Sequence, residues 1–192
     1  MRLCLDSFRM KYMFLAAILS LMSLATVVQG QDLIQPSEGK SMVYFVRSLG
    51  SGALINFKYF DGEKYLGKLN GKGYLVYESE PGAHIFWVTS ENRDFVEATL
   101  LPDKIYIIEV RPMPGVIKAA LKLFPLANDD PKHRKRIFKL ISKMTPYWLG
   151  KEDVTAEQTD LEFYIQNGIK KYKSDKEKGK WIKQLASSDY FN

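Results

Sequence analysis

Three turn dipeptides, Asp61-Gly62, Asn70-Gly71 and Pro81-Gly82, recur at hairpin spacing between short runs of β-branched and aromatic residues. Glycine accepts positive φ and Asp or Asn tolerates it, so such pairs turn a strand back on itself. A segment punctuated in this way has no room for a helix between its turns. Ser41 to Arg47 is apolar on both faces, as a central strand would be. Ala53 to Phe60 alternates Ile55, Phe57 and Tyr59 against Asn56 and Lys58. Lys64 to Leu69, Tyr74 to Glu78, His84 to Thr89, Phe95 to Leu100 and Lys104 to Val110 continue the series, the last expected to stop at Pro112 and Pro114. Val116 to Leu126 fits both a closing strand and a helix, with the strand preferred. The expected fold of residues 41–126 is therefore mainly β, an antiparallel sandwich of seven to eight strands.

The pattern changes at Asp130-Pro131, a capping Asp followed by a proline suited to the first helical position, with Lys132 to Met144 behind it. Thr155 and Gln158 form a second helix-start signal, followed by a stripe of Leu161, Ile165, Gly168, Ile169 and Tyr172. Ser174 to Ser187 either extends that helix with a bend at Gly179 or forms a separate one. Residues 127–192 thus read as a helical extension. It is also the basic part: residues 131–192 carry 14 Lys and Arg against 8 Asp and Glu, whereas residues 31–130 carry 11 against 13.

Residues 1–30 have the order of a secretory signal. Arg2, Arg9 and Lys11 precede an apolar run from Met13 to Val28, and Val28-Gln29-Gly30 supplies the small residues of a cleavage site. Met10 is a second candidate start and leaves the same mature chain. The sole cysteine, Cys4, lies ahead of the apolar run, so no lipid-attachment cysteine follows it. Cleavage would leave a chain free of disulfides and thiolates, with an exposed leader over residues 31–40. The expected address is the periplasm or the cell exterior, without a lipid anchor or a transmembrane helix after cleavage.

Val43 to Arg47 (VYFVR), Phe57 to Leu69 (FKYFDGEKYLGKL), Gly73 to Phe86 (GYLVYESEPGAHIF) and Lys104 to Val110 (KIYIIEV) occur in that order. Together they resemble the bacterial envelope proteins that carry the domain of unknown function DUF2846. The resemblance covers about residues 40–126 and none of the helical part. It implies a β-sandwich in the envelope and brings no activity with it. Many of those relatives look like lipoproteins, which this chain does not.

Few residues offer chemistry. His84 opens a strand after a turn, and as a catalytic base it would need Glu78, Ser79 or Glu80 within reach. No spacing indicates such a partner, so a hydrogen-bonded strand-edge histidine is the better reading, and a hydrolase is the weaker alternative. His133, inside the run KHRKR, reads as a surface residue. No metal, cofactor or phosphate-cradling motif is present, since Gly50-Ser51-Gly52 lacks the Lys-Ser/Thr ending. Tyr59, Tyr65, Tyr74, Tyr77, Phe86 and Trp87 suit a sugar platform less well than they suit a core.

The most distinctive surface candidate is Lys132, Arg134, Lys135, Arg136, Phe138, Lys139 and Lys143, which together compose a basic amphipathic helix. It would either dock on the sandwich or lie on an anionic membrane. The chain as a whole is expected to be a non-enzymatic binding module for a protein, a glycan or an anionic membrane surface. Nucleic acid is not an expected partner of an exported protein.

Overall fold

The computed structural model describes residues 33–50, 54–115, 119–147, 159 and 161–191, so the signal segment and the Thr155–Gln158 helix start lie outside the described residues. Leu33–Asn192 belong to one compact unit. Among the described residues, one sheet comprises β1 (Ser41–Arg47), β4 (Gly73–Ser79), β7 (Lys104–Pro114), β8 (Ala119–Pro125) and β9 (Pro146–Tyr147), in the order β8-β7-β1-β4-β9. The other comprises β2 (Phe57–Asp61), β3 (Lys64–Leu69), β5 (Gly82–Thr89), β6 (Arg93–Leu100) and β10 (Lys183–Leu185), in the order β10-β6-β5-β2-β3. Helices α1 (Pro131–Ile141) and α2 (Glu162–Glu177) follow the main run of strands.

Alternation of side chains places Val43, Phe45, Tyr106, Ile108 and Val110 between the sheets, opposite Phe57, Tyr59, Phe86 and Val88. Met42, Tyr44, Val46, Ile105 and Ile107 point the other way and are covered by Ile137 and Ile141 of α1. On the far sheet, Phe60, Tyr65, Trp87 and Phe95 are covered by Leu161, Ile165 and Tyr172. The layering is therefore helix, sheet, sheet, helix, which explains why β1 is apolar on both faces.

The chain is mainly β with helices in its C-terminal part, as expected, and residues 119–125 form the closing strand. Three features differ from the sequence reading. First, the sheets are mixed. β1 runs parallel to β7 from Ser41↔Lys104 to Arg47↔Val110, and β4–β9 and β6–β10 are also parallel pairs. Hairpin turns dictate antiparallel neighbours only for strands adjacent in sequence, and each of these pairs is joined by a long excursion.

Second, Pro112 and Pro114 do not stop β7. Pairing with β1 ends at Val110, and beyond it the strand pairs with β8 alone, through Pro112↔Leu121 and Pro114↔Ala119. A strand with one free edge has a side where a missing N–H costs no ladder bond.

Third, the region after residue 127 is woven into the sandwich rather than appended to it. It supplies β9 and β10, Leu185 lies in the central core, and Phe191 bridges Ile105. Gly179, at φ +67°, ends α2 as Lys180 N–H donates to the Asp175 carbonyl, and the chain turns into β10 instead of extending the helix.

Candidate functional site

The basic cluster divides once α1 is in place. Asp130 caps the helix by accepting from His133 N–H at 2.9 Å, with Pro131 in the first turn. Its apolar stripe, Ile137 and Ile141, is buried against the first sheet. Arg134 turns inward, donating to the Tyr190 carbonyl at 2.6 Å with its guanidinium 3.6 Å from the centre of the Phe191 ring. Arg136 donates to Glu109 Oε2 at 2.7 Å. Lys132, Lys135, Lys139 and Lys143 remain exposed, with Phe138 beside them. The helix therefore offers solvent a ridge of lysines rather than an apolar face.

Glu109 is the residue that the sequence reading missed. It is fully buried on β7, where Ser48 Oγ donates to one carboxylate oxygen and Arg111, Arg136 and His133 Nε2 donate to the other. Burial alone would push its carboxyl up, but the hydrogen bonds from Arg111, Arg136, Ser48 and His133 prevail and hold it at about 2. His133 is accordingly a hydrogen-bond partner of Glu109, its side chain 13% exposed, and not a surface residue. A glutamate among Tyr106, Ile108 and Val110 looks like the solvated position of an amphipathic strand. Only the basic helix arriving from a distant part of the chain makes its burial intelligible.

His84 sits in a Ser-His-Asp arrangement. Its Nδ1 lies 2.8 Å from Asp61 Oδ2, and its Nε2 lies 2.9 Å from the Glu80 carbonyl oxygen and 3.3 Å from Ser79 Oγ. The acid partner comes from β2 across the sheet, where sequence spacing gave no sign of it. Tyr77 donates to the same Asp61 oxygen, and the imidazole stacks on Phe86. Both nitrogens face oxygen acceptors, an environment that favours the protonated imidazole. The hydrogen bond to Asp61 raises the His84 pKa above its ordinary value, against the opposing effect of burial.

A fully protonated imidazole, the form that this environment favours, has no lone pair with which to take a hydroxyl proton. Ser79 is itself buried and donates to the Glu80 carbonyl at 2.8 Å. The constellation clamps the β4–β5 turn onto β2.

Of the aromatic residues that could form a sugar platform, Tyr59, Tyr65, Phe86 and Trp87 are fully buried in the core and Tyr74 nearly so, and Tyr77 is half-buried against it. Among the described residues, the exposed indole is Trp181, at 80%. It borders a groove of about 480 Å³ formed by the β5–β6 turn, the last turns of α2 and the segment leading to β10. Lys171 bonds Asp175 at 2.5 Å, Lys180 reaches the same carboxylate at 2.9 Å, and Lys183 bonds Asp94 at 2.7 Å. The Lys171 hydrogen bond is the main reason that the Asp175 pKa is lowered despite burial. Asn92 brackets Leu121, accepting from its N–H at 2.8 Å and donating to its carbonyl at 2.9 Å, so the turn at the groove's edge is fixed. Trp181 was visible in the sequence only as one apolar residue of a basic segment.

No protein-family model matches the chain, and no curated protein matches it. Among solved structures, an NMR structure of a protein from Eubacterium rectale is similar over 48% of this chain and 94% of its own, at 10% identity and a TM-score of 0.30. That likeness is too slight to bear on function.

Proposed function

We propose that this chain is an exported, non-enzymatic binding module of the bacterial envelope, without a lipid anchor. The observation that carries the reading is the groove beside Trp181, of the size that small-molecule sites have, roughly 300–1,000 Å³. The acceptors that both His84 nitrogens already face weigh against a hydrolase. The signal-like residues 1–30 and the resemblance of the strands to DUF2846 proteins support the envelope address. A photo-crosslinking residue at position 181, with fractionation of the cells, tests the reading. Adducts in the envelope fraction are expected, and a chain retained in the cytoplasm without adducts would overturn it.

The lysine ridge favours a second reading, peripheral contact with an anionic membrane. α1 presents Lys132, Lys135 and Lys139 outward, with Lys143 just beyond its end, and contains no acidic residue. No described helix is long and apolar enough to cross a membrane. Because Ile137 and Ile141 face the sheet, such contact would be electrostatic, worth about 1 kcal/mol per lysine near the surface and screened by salt. Sedimentation with anionic vesicles at low and high salt decides it. Binding lost at high salt is expected, and failure to bind at low salt would rule it out.

A further inference from the structure

We infer that the groove beside Trp181 takes a net-neutral oligosaccharide, an inference that rests on the binding-module reading. An indole left in water forgoes the stabilisation of burial, about 25 cal/mol per Å² of apolar surface. The same chain buries Trp87 completely. Nor is Trp181 on a loose end. Lys180 N–H is bonded to the Asp175 carbonyl at 2.9 Å, and from Lys183 onward the chain pairs with Val96 of β6. A flat apolar plate on an anchored stretch of backbone, beside a polar cleft, suits a ligand that has an apolar face and hydroxylated edges. Sugar rings have that form, with their C–H face turned to the indole.

Charge decides the class. The lining contains three cations, Arg93, Lys171 and Lys180, and three anions, Glu91, Asp94 and Asp175. Asp175 is satisfied by two lysines and Asp94 by Lys183, which lies just outside the lining. An anionic ligand would meet Arg93 alone among the lining cations outside these ion pairs and would otherwise compete for lysines already paired, and a cationic one would compete for carboxylates already engaged. Hydroxyl groups both donate and accept, so they can join these ion pairs at their free lone pairs and N–H groups without displacing either partner. The groove is open to solvent, in keeping with a chain segment that runs on past it.

The test uses the whole protein. Maltotetraose, cellotetraose and tetra-N-acetylchitotetraose are titrated by ligand-observed saturation-transfer NMR, with polygalacturonate as the anionic comparison. At least one neutral tetrasaccharide is expected to bind, with a loss of tenfold or more in Trp181→Ala and partial retention in Trp181→Phe. The buried Trp87, seen by near-ultraviolet circular dichroism, should report an unchanged fold in both variants. If the three neutral glycans fail to bind, bind equally to Trp181→Ala, or bind less well than polygalacturonate, the inference is overturned. Protease-sensitive adducts at position 181 in cells, with no neutral glycan bound, would also overturn it while leaving the binding-module reading intact.

Discussion

A fully buried carboxylate is stable only while its donors are present, and Glu109 has four. Arg111→Ala with Arg136→Ala would leave it with Ser48 and His133. Breaking buried pairs of this kind costs about 3 kcal/mol, measurable by urea denaturation. Adding Glu109→Gln to the double variant should recover part of that loss, because the charge is then gone. Since the folded pKa of Glu109 is about 2 against an ordinary 4.5, its contribution is in full effect above pH 4.5 and is lost as pH falls through about 2. His84 has the opposite sign. Its raised pKa stabilises the fold below the ordinary value of 6.5, and that contribution disappears as pH rises through the folded value. His84→Asn should therefore be less stable than the parent at about pH 5.5 and converge on it at alkaline pH. A difference that is constant with pH would show that His84 is not the charged clamp described above.

The second helix depends on one glycine. A Cβ at position 168 would lie 2.4 Å from Trp87 Cη2 and 2.7 Å from Cζ2. The ring cannot retreat, because it is stacked 3.9 Å from Phe60 and its Nε1 donates to the Gly62 carbonyl at 2.8 Å. Gly168→Ala, which would favour an isolated helix by about 1 kcal/mol, should instead cost about 1–3 kcal/mol here through overpacking. Hydrogen exchange should quicken in α2 before it does in β1 or β7, and unchanged protection across α2 would contradict the close contact. This element also shows what the sequence made legible. Of the stripe Leu161, Ile165, Gly168, Ile169 and Tyr172, all but the partly buried Ile169 lie on the buried face, since period alone fixes which residues share a side. It did not identify Trp87 as the surface met, nor Glu97, which accepts from Tyr172 and from Lys176 at 2.6 Å. Those contacts join positions far apart in sequence, and local pattern is silent on them. The same limit hid the parallel pairing of β1 with β7, whereas Asp61-Gly62 correctly located the β2–β3 hairpin, and Asn70-Gly71 and Pro81-Gly82 carry the chain from one sheet to the other.

At the scale of the molecule, the helix–sheet–sheet–helix order puts the two candidate surfaces on opposite sides. The lysine ridge belongs to α1, outside the β1-containing sheet, and the Trp181 groove lies beside α2 and Phe95, outside the other. One face could therefore rest on an anionic surface while the other stays open to a ligand, with the core between them. This separation has a thermodynamic consequence. Sites with no shared side chains and a rigid interior between them contribute independently, within about 0.5 kcal/mol. Reversing the ridge with Lys132→Glu, Lys135→Glu and Lys139→Glu should abolish sedimentation with anionic vesicles and leave glycan titrations at the groove unchanged. Trp181→Ala should do the reverse, and the combined variant should show both losses at their separate magnitudes. Coupling beyond that limit would mean that the two faces communicate through the sandwich, for which Leu185, in the core on β10 and paired with β6, offers one continuous route. Leu185→Ala would then weaken the coupling more than it weakens either binding event.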